Sequence, residues 1–230
     1  MTAEQWKMGR ENARLTQVWA ARALGVTQPY LSQLETGLRA ASAGLSRKAA
    51  KLYKLPASAL PLPEPLEVQE VSPDHLQRKL AGLGYPGFEH VRSNAGANPA
   101  EVVLAAVVKR DLDARLVEAL PWVLSAYPDL NWEWLRDRVK LQNAQNRLGY
   151  VVHLAEQVTR VLREHWKAVS ALSKWESELE DARLAGEGTL CRDSMPEAER
   201  AWLRVHRPQA AVHWNLLTGL TAEQLPYVSH

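Results

Sequence analysis

The stretch from Leu15 to Gly37 constrains this chain most, because caps, a turn residue and small side chains recur there at fixed intervals. Thr16 is suited to cap a helix that Gln17 opens, and Ala21 is small enough for a second helix to cross closely. Gly25 supplies the turn, since a left-handed backbone costs glycine no steric penalty. Thr27 is placed to cap the next helix, so Gln28 and Pro29 fall in its first turn, where a missing N–H is harmless. Gly37 closes that helix, and Val26, Leu31 and Leu34 point back to a core. Two short helices joined by a tight turn are the expectation.

That spacing resembles the helix-turn-helix of the lambda-type repressor and Cro family, the xenobiotic-response-element class, over roughly residues 5 to 60. The resemblance implies a DNA-binding head of four or five helices in residues 1–55, with the helix opened by Gln28 entering the major groove. Gln28 and Gln33 match positions that face DNA, and a glutamine bonded to adenine through N6 and N7 discriminates by ~1–3 kcal/mol. Thr27, Pro29, Tyr30 and Ser32 complete the candidate DNA-binding set on that helix. Gln17 matches the position that holds a phosphate and braces the reading side chain. Arg39, with Arg22, Arg10 and Arg14, would supply backbone charge. Trp19 and Ala20 stand where relatives place an acidic residue and a leucine, so unusual packing of that helix, or an unusual contact made by it, is expected.

Charge supports the division. Residues 1–55 carry nine Lys or Arg against three Glu, whereas the rest carries 19 basic against 23 acidic residues. A basic head on a mildly acidic body implies that only the head meets a polyanion. No apolar run approaches the ~18 residues of a membrane span, and the polar N-terminus lacks a signal-peptide core. Cys191 is the single cysteine, which excludes an intramolecular disulfide and disfavours a zinc site, so no metal or cofactor and a cytoplasmic location are expected.

In the head, Glu4 to Arg14 reads as a first helix with Trp6, Met8 and Ala13 turned inward, and Leu45 to Tyr53 as the last. Five prolines between Pro56 and Pro73 mark 56–73 as an extended linker. Residues 74–230 read as an all-helical dimerisation and regulatory domain, making the fold class all-α. Ser72-Pro73-Asp74, Asn98-Pro99-Ala100-Glu101, Asn131, Ser194-Met195-Pro196-Glu197 and Thr221-Ala222-Glu223-Gln224 are its helix starts.

Between Tyr150 and Leu184 there is no proline or glycine. Leu154, Val158, Val161, His165, Ala168, Leu172, Trp175 and Leu179 recur there at alternating spacings of four and three. A single helix of that length would extend roughly 50 Å, as a dimer seam or as a central core helix. Seven of the nine tryptophans lie in the body; Trp132 and Trp134, two apart, cannot share one helix face.

Catalysis is not expected. Helical ribonuclease toxins pair an Arg with a His five to seven positions on. Arg147 with His153, Arg160 with His165, Arg200 with His206 and Arg207 with His213 fit that spacing but lack the polar residue after Arg. Ala95-Gly96 matches the scissile bond of self-cleaving repressors, whose catalytic domain is a β-structure unlike this helical body. The expectation is therefore a dimeric, sequence-specific repressor of double-stranded DNA. Its body binds a protein partner such as a toxin or, alternatively, senses a small molecule. Leu120-Pro121-Trp122, Asn131-Trp132 and Asn146-Arg147-Leu148-Gly149 resemble phrases of antitoxin-type regulators, without implying a role for any single residue.

Overall fold

The computed structural model describes residues 1–63, 71–93, 96–162 and 166–228, with backbone alone at 166 and 167. The fold is all-α: twelve α-helices among the described residues, with one pair of two-residue strands. The chain forms two units, residues 1–63 with 96–98, and residues 64–95 with 99–230.

The first unit contains α1 (Ala3–Asn12), α2 (Gln17–Leu24), α3 (Gln28–Glu35) and α4 (Ala43–Leu52). Each begins at a hydroxyl residue that accepts a backbone N–H three residues on: Thr2 from Gln5, Thr16 from Trp19, Thr27 from Tyr30 and Ser42 from Leu45. Gly25 takes the left-handed conformation (φ 76°, ψ 33°) that the turn between α2 and α3 demands. The first helix stops short of Arg14, whose φ of 56° turns the chain out of the helix. Met8, expected inside, is 50% exposed.

Trp6, Ala20, Ala21, Leu24, Leu31, Leu34, Ala49 and Tyr53 make the core, with the Trp6 and Tyr53 rings edge to face at 6.3 Å. The unusual α2 resolves simply: Ala20 is fully buried and Trp19 turns to solvent. The linker is not uniformly extended. Ala57–Ala59 forms a 3-10 turn with Ala59 buried, and the Asn98 amide donates to the carbonyls of Ser58 and Leu60 at 3.1 and 2.7 Å. A turn after Pro56 is permitted because proline at the cap removes a donor the turn does not need. Residues 64–70 of the predicted linker, and Ala95 of the Ala95-Gly96 pair, lie outside the described residues.

The second unit contains α5 (Pro73–Gly82), α6 (Pro99–Val107), α7 (Ala114–Ala126), α8 (Trp132–Leu141), α9 (Gln145–Leu162), α10 (Trp166–Glu180), α11 (Glu197–His206) and α12 (Gln209–His213). Strands β1 (Gly188–Thr189) and β2 (Leu216–Leu217) pair in parallel. Ser72 and Asn131 cap α5 and α8 as expected. The Ser194–Glu197 box does not form: Pro196 occupies the cap of α11, and Ser194 N–H donates to Asp111 Oδ1 at 2.7 Å. Thr221 N–H does reach Gln224 Oε1, at 3.2 Å, over a 3-10 turn.

The long single helix is a correction. α9 ends at Leu162 and α10 runs back along it, because Glu156 meets Ser173, His153 meets Glu176, and Gln145 meets Ala182. Leu154, Val158, Ala168, Leu172, Trp175 and Leu179 are all buried within this hairpin's own unit, so the stripe is not a seam between copies. Val161 is 61% exposed, and His165 lies outside the described residues. A three-four apolar repeat reports which positions are buried, and two facing helices satisfy it as well as one straight helix does. The tryptophan pair divides as alternation requires. Trp132 is buried, stacks on Trp175 at 4.8 Å and donates from Nε1 to Glu178 at 2.7 Å, while Trp134 is half-buried beneath Arg138.

Candidate nucleic-acid interface

Helical geometry sets what α3 presents. At about 100° per residue, Leu31, Leu34 and Glu35 occupy one side of the helix, and all three are buried. Gln28, Ser32, Thr36, Pro29 and Gln33 then spread across the opposite sector of about 140°. Gln28, Pro29 and Thr36 are exposed, and Ser32 and Gln33 half-buried. Gln28 and Gln33 mark the two edges of this face. Thr27 caps the helix, and its hydroxyl accepts the Tyr30 N–H at 3.4 Å.

Gln28 is not a free side chain. Its amide nitrogen donates to Gln17 Oε1 at 2.7 Å, and the Gln17 amide nitrogen donates to Glu35 Oε2 at 2.8 Å. Glu35 in turn receives the Arg10 guanidinium through Nε at 2.6 Å and Nη2 at 2.9 Å, while Arg10 Nη1 holds the Leu15 carbonyl at 2.9 Å. The Glu35 side chain is 3% exposed and that of Arg10 11%. Burial alone would push the Glu35 carboxyl up, but the hydrogen bonds from Arg10 and Gln17, with the charges of Arg10 and Lys7, hold it below its usual range. Arg10, expected on the DNA backbone, is instead committed to this interior pair. Nothing local signals the pair in the sequence, since its members lie on α1 and α3, 25 residues apart.

Arg39 is exposed and lies over the Tyr30 ring, 5.5 Å from its centre, while its backbone N–H donates to the Gln33 carbonyl at 3.2 Å. The loop after α3 is thereby tied to the helix at two points. Arg22, Arg39, Arg47, Lys48, Lys51 and Lys54 are exposed, and none has a carboxylate partner among the described residues. The one buried acid of the unit, Glu35, is already neutralised. The positive charge of the head is therefore left at its surface.

A buried core shared by four helices, a capped glycine turn between α2 and α3, and an exposed polar face on α3 are the features of one kind of module. Residues 4–62 match the family model described as a helix-turn-helix domain. The match covers about a quarter of the chain and spans the four helices of the first unit. No curated protein and no solved structure matches the chain. A helix-turn-helix domain suggests a DNA-binding regulator rather than an enzyme.

Outside the helix-turn-helix domain, the described members of the Arg and His pairs have structural partners, and His165 lies outside the described residues. Arg147 donates to the carbonyls of Thr189, Val107 and Lys109 and to Asp193, which ties β1 to the end of α6. His153 pairs with Glu176 at 2.9 Å and His213 with Glu180 at 2.6 Å. Among the described residues no group of His, Cys, Asp and Glu is arranged to hold a metal, and no helix is long and apolar enough to cross a membrane.

Proposed function

We propose that the chain is a sequence-specific transcriptional regulator, a repressor that binds double-stranded DNA as a homodimer with one α3 in each major-groove half-site. The observation that carries this reading is the Gln28–Gln17 bond. A side-chain amide has two N–H donors and one carbonyl acceptor. With one N–H given to Gln17, Gln28 keeps one donor and its acceptor, the pair that adenine N7 and N6 require. The side chain is held before DNA arrives, so less rotamer entropy is lost on binding.

Gln33, Ser32, Pro29 and Tyr30 border the same groove-facing surface, Thr27 and Gln17 approach the phosphate at its edge, and Arg39 supplies backbone charge. The second unit supplies dimerisation and regulation. Its exposed Val205 and Val212, 78% and 48% accessible, are the side chains a protein partner such as a toxin would cover. The test is selection of a randomised duplex library by the full-length protein, followed by titration of the enriched site at several salt concentrations. A two-fold symmetric site whose affinity falls steeply with salt is expected. Recovery of no enriched sequence sinks the reading.

A further inference from the structure

The second unit opens a cleft of about 800 Å³ between the first half of α7, α11 and the segment after β2. That volume lies within the range of small-molecule sites. Val117, Leu203 and Leu217 line it and are buried, while Trp202 lines it at 57% exposure and is steadied by stacking on His206 at 4.5 Å.

The charged groups on the lining are one-sided: four carboxylates against Arg192. Three carboxylates are already engaged. Asp111 accepts the Ser194 N–H at 2.7 Å, Asp113 accepts the Arg115 N–H at the start of α7 at 2.9 Å, and Glu199 pairs with Arg192 at 2.5 Å. Glu118 is half-buried, and its carboxylate has no hydrogen bond or ion pair from the described residues. Burial and the neighbouring Asp113 charge push its carboxyl up, against a smaller opposing pull from Arg115. An anionic ligand would meet this surplus of negative charge with Arg192 already paired, and a neutral one would gain only the apolar wall.

We infer that the cleft binds a small organic cation with an apolar body, its charged nitrogen against Glu118 and its body along Val117, Leu203 and Trp202. The site goes beyond the DNA-binding reading and does not rest on it, since binding is measured with no DNA present.

The test is calorimetric titration of the full-length protein with phenylbutylamine, phenylbutanol and phenylbutyrate, which carry a cationic, a neutral and an anionic head on one apolar body. The amine is expected to bind about tenfold more tightly than the alcohol, the scale of one charge-assisted hydrogen bond. The acid is expected to show no binding. Glu118→Gln, which has no partner to lose and should not lower the melting temperature, brings the amine down to the alcohol. Trp202→Ala, at an exposed position, weakens amine and alcohol together. Absence of amine binding, equal affinity for amine and alcohol, or an amine affinity indifferent to Glu118→Gln each overturns the inference.

Discussion

Gln28 and Gln17 are joined side chain to side chain at 2.7 Å across the turn between α2 and α3. The bond couples a surface residue to the interior, because Gln17 is itself anchored on the buried Glu35. Removing the reading side chain should therefore separate from removing its brace. Gln28→Ala is expected to relax base preference at one position per half-site by about 1–3 kcal/mol, with the salt slope nearly unchanged. Gln17→Ala should keep the preferred sequence and bind it more weakly. Selection from a randomised library with each variant decides, and an unchanged consensus for Gln28→Ala removes it from the reading set.

Arg39 carries charge at the surface and makes no base-like donor–acceptor pair. Arg39→Ala is expected to weaken all duplexes alike and to lower the slope of log affinity against log salt by about 1. Paired titrations on the selected site and on a scrambled duplex measure both. A loss confined to the selected site means that Arg39 reads bases.

The Arg10–Glu35 pair is a stability element with a defined pH signature. Glu35→Ala leaves the 11%-exposed Arg10 side chain only the exposed Glu11 carboxylate, at 3.4 Å, and should cost up to about 3–5 kcal/mol in denaturant unfolding. Because the folded carboxyl lies below its unfolded value of about 4.3, the native protein binds fewer protons than the unfolded chain in that range. Its contribution is therefore complete above that value and is lost as pH falls through the folded one. Urea midpoints measured from neutral pH into acid should show this loss in the parent and lack it in the variant.

The α9–α10 hairpin carries the opposite sign. The Glu176 hydrogen bond raises the His153 imidazole against the effect of burial, so folding gains from protonation. The contribution is present below the unfolded value of about 6.5 and disappears as pH rises through the folded one, with a size on the order of 1 kcal/mol. A nuclear magnetic resonance titration of the His153 ring should place its midpoint above that of a model histidine, and Glu176→Gln should return it. A midpoint that ignores Glu176→Gln contradicts the pairing.

Gly149 sits in α9 where a methyl group would overlap the Trp214 ring. Trp214 is fully buried. Gly149→Ala would gain helix propensity on an open surface, yet here it is expected to cost about 1–3 kcal/mol through overpacking. Thermal unfolding of the variant provides the measure, and an unchanged or higher melting temperature shows that the ring yields.

The sequence by itself determined whatever depends on neighbours in the chain. Thr16, Gly25 and Thr27 set the caps and the turn of the helix-turn-helix, because a hydroxyl reaches the N–H three residues on, and glycine alone tolerates the left-handed turn without strain. The polar face of α3 was legible for the same reason, since helical periodicity assigns sides without knowledge of the partner. Tertiary structure decided the rest. The pattern around Leu154 and Leu172 is identical for one long helix and for a hairpin, and the pairing of His153 with Glu176 selects the hairpin. Arg10 is one basic residue among nine in the head until folding brings Glu35 against it. The cleft beside Glu118 gathers α7, α11 and the segment after β2, elements some hundred residues apart, and only packing puts them in one place.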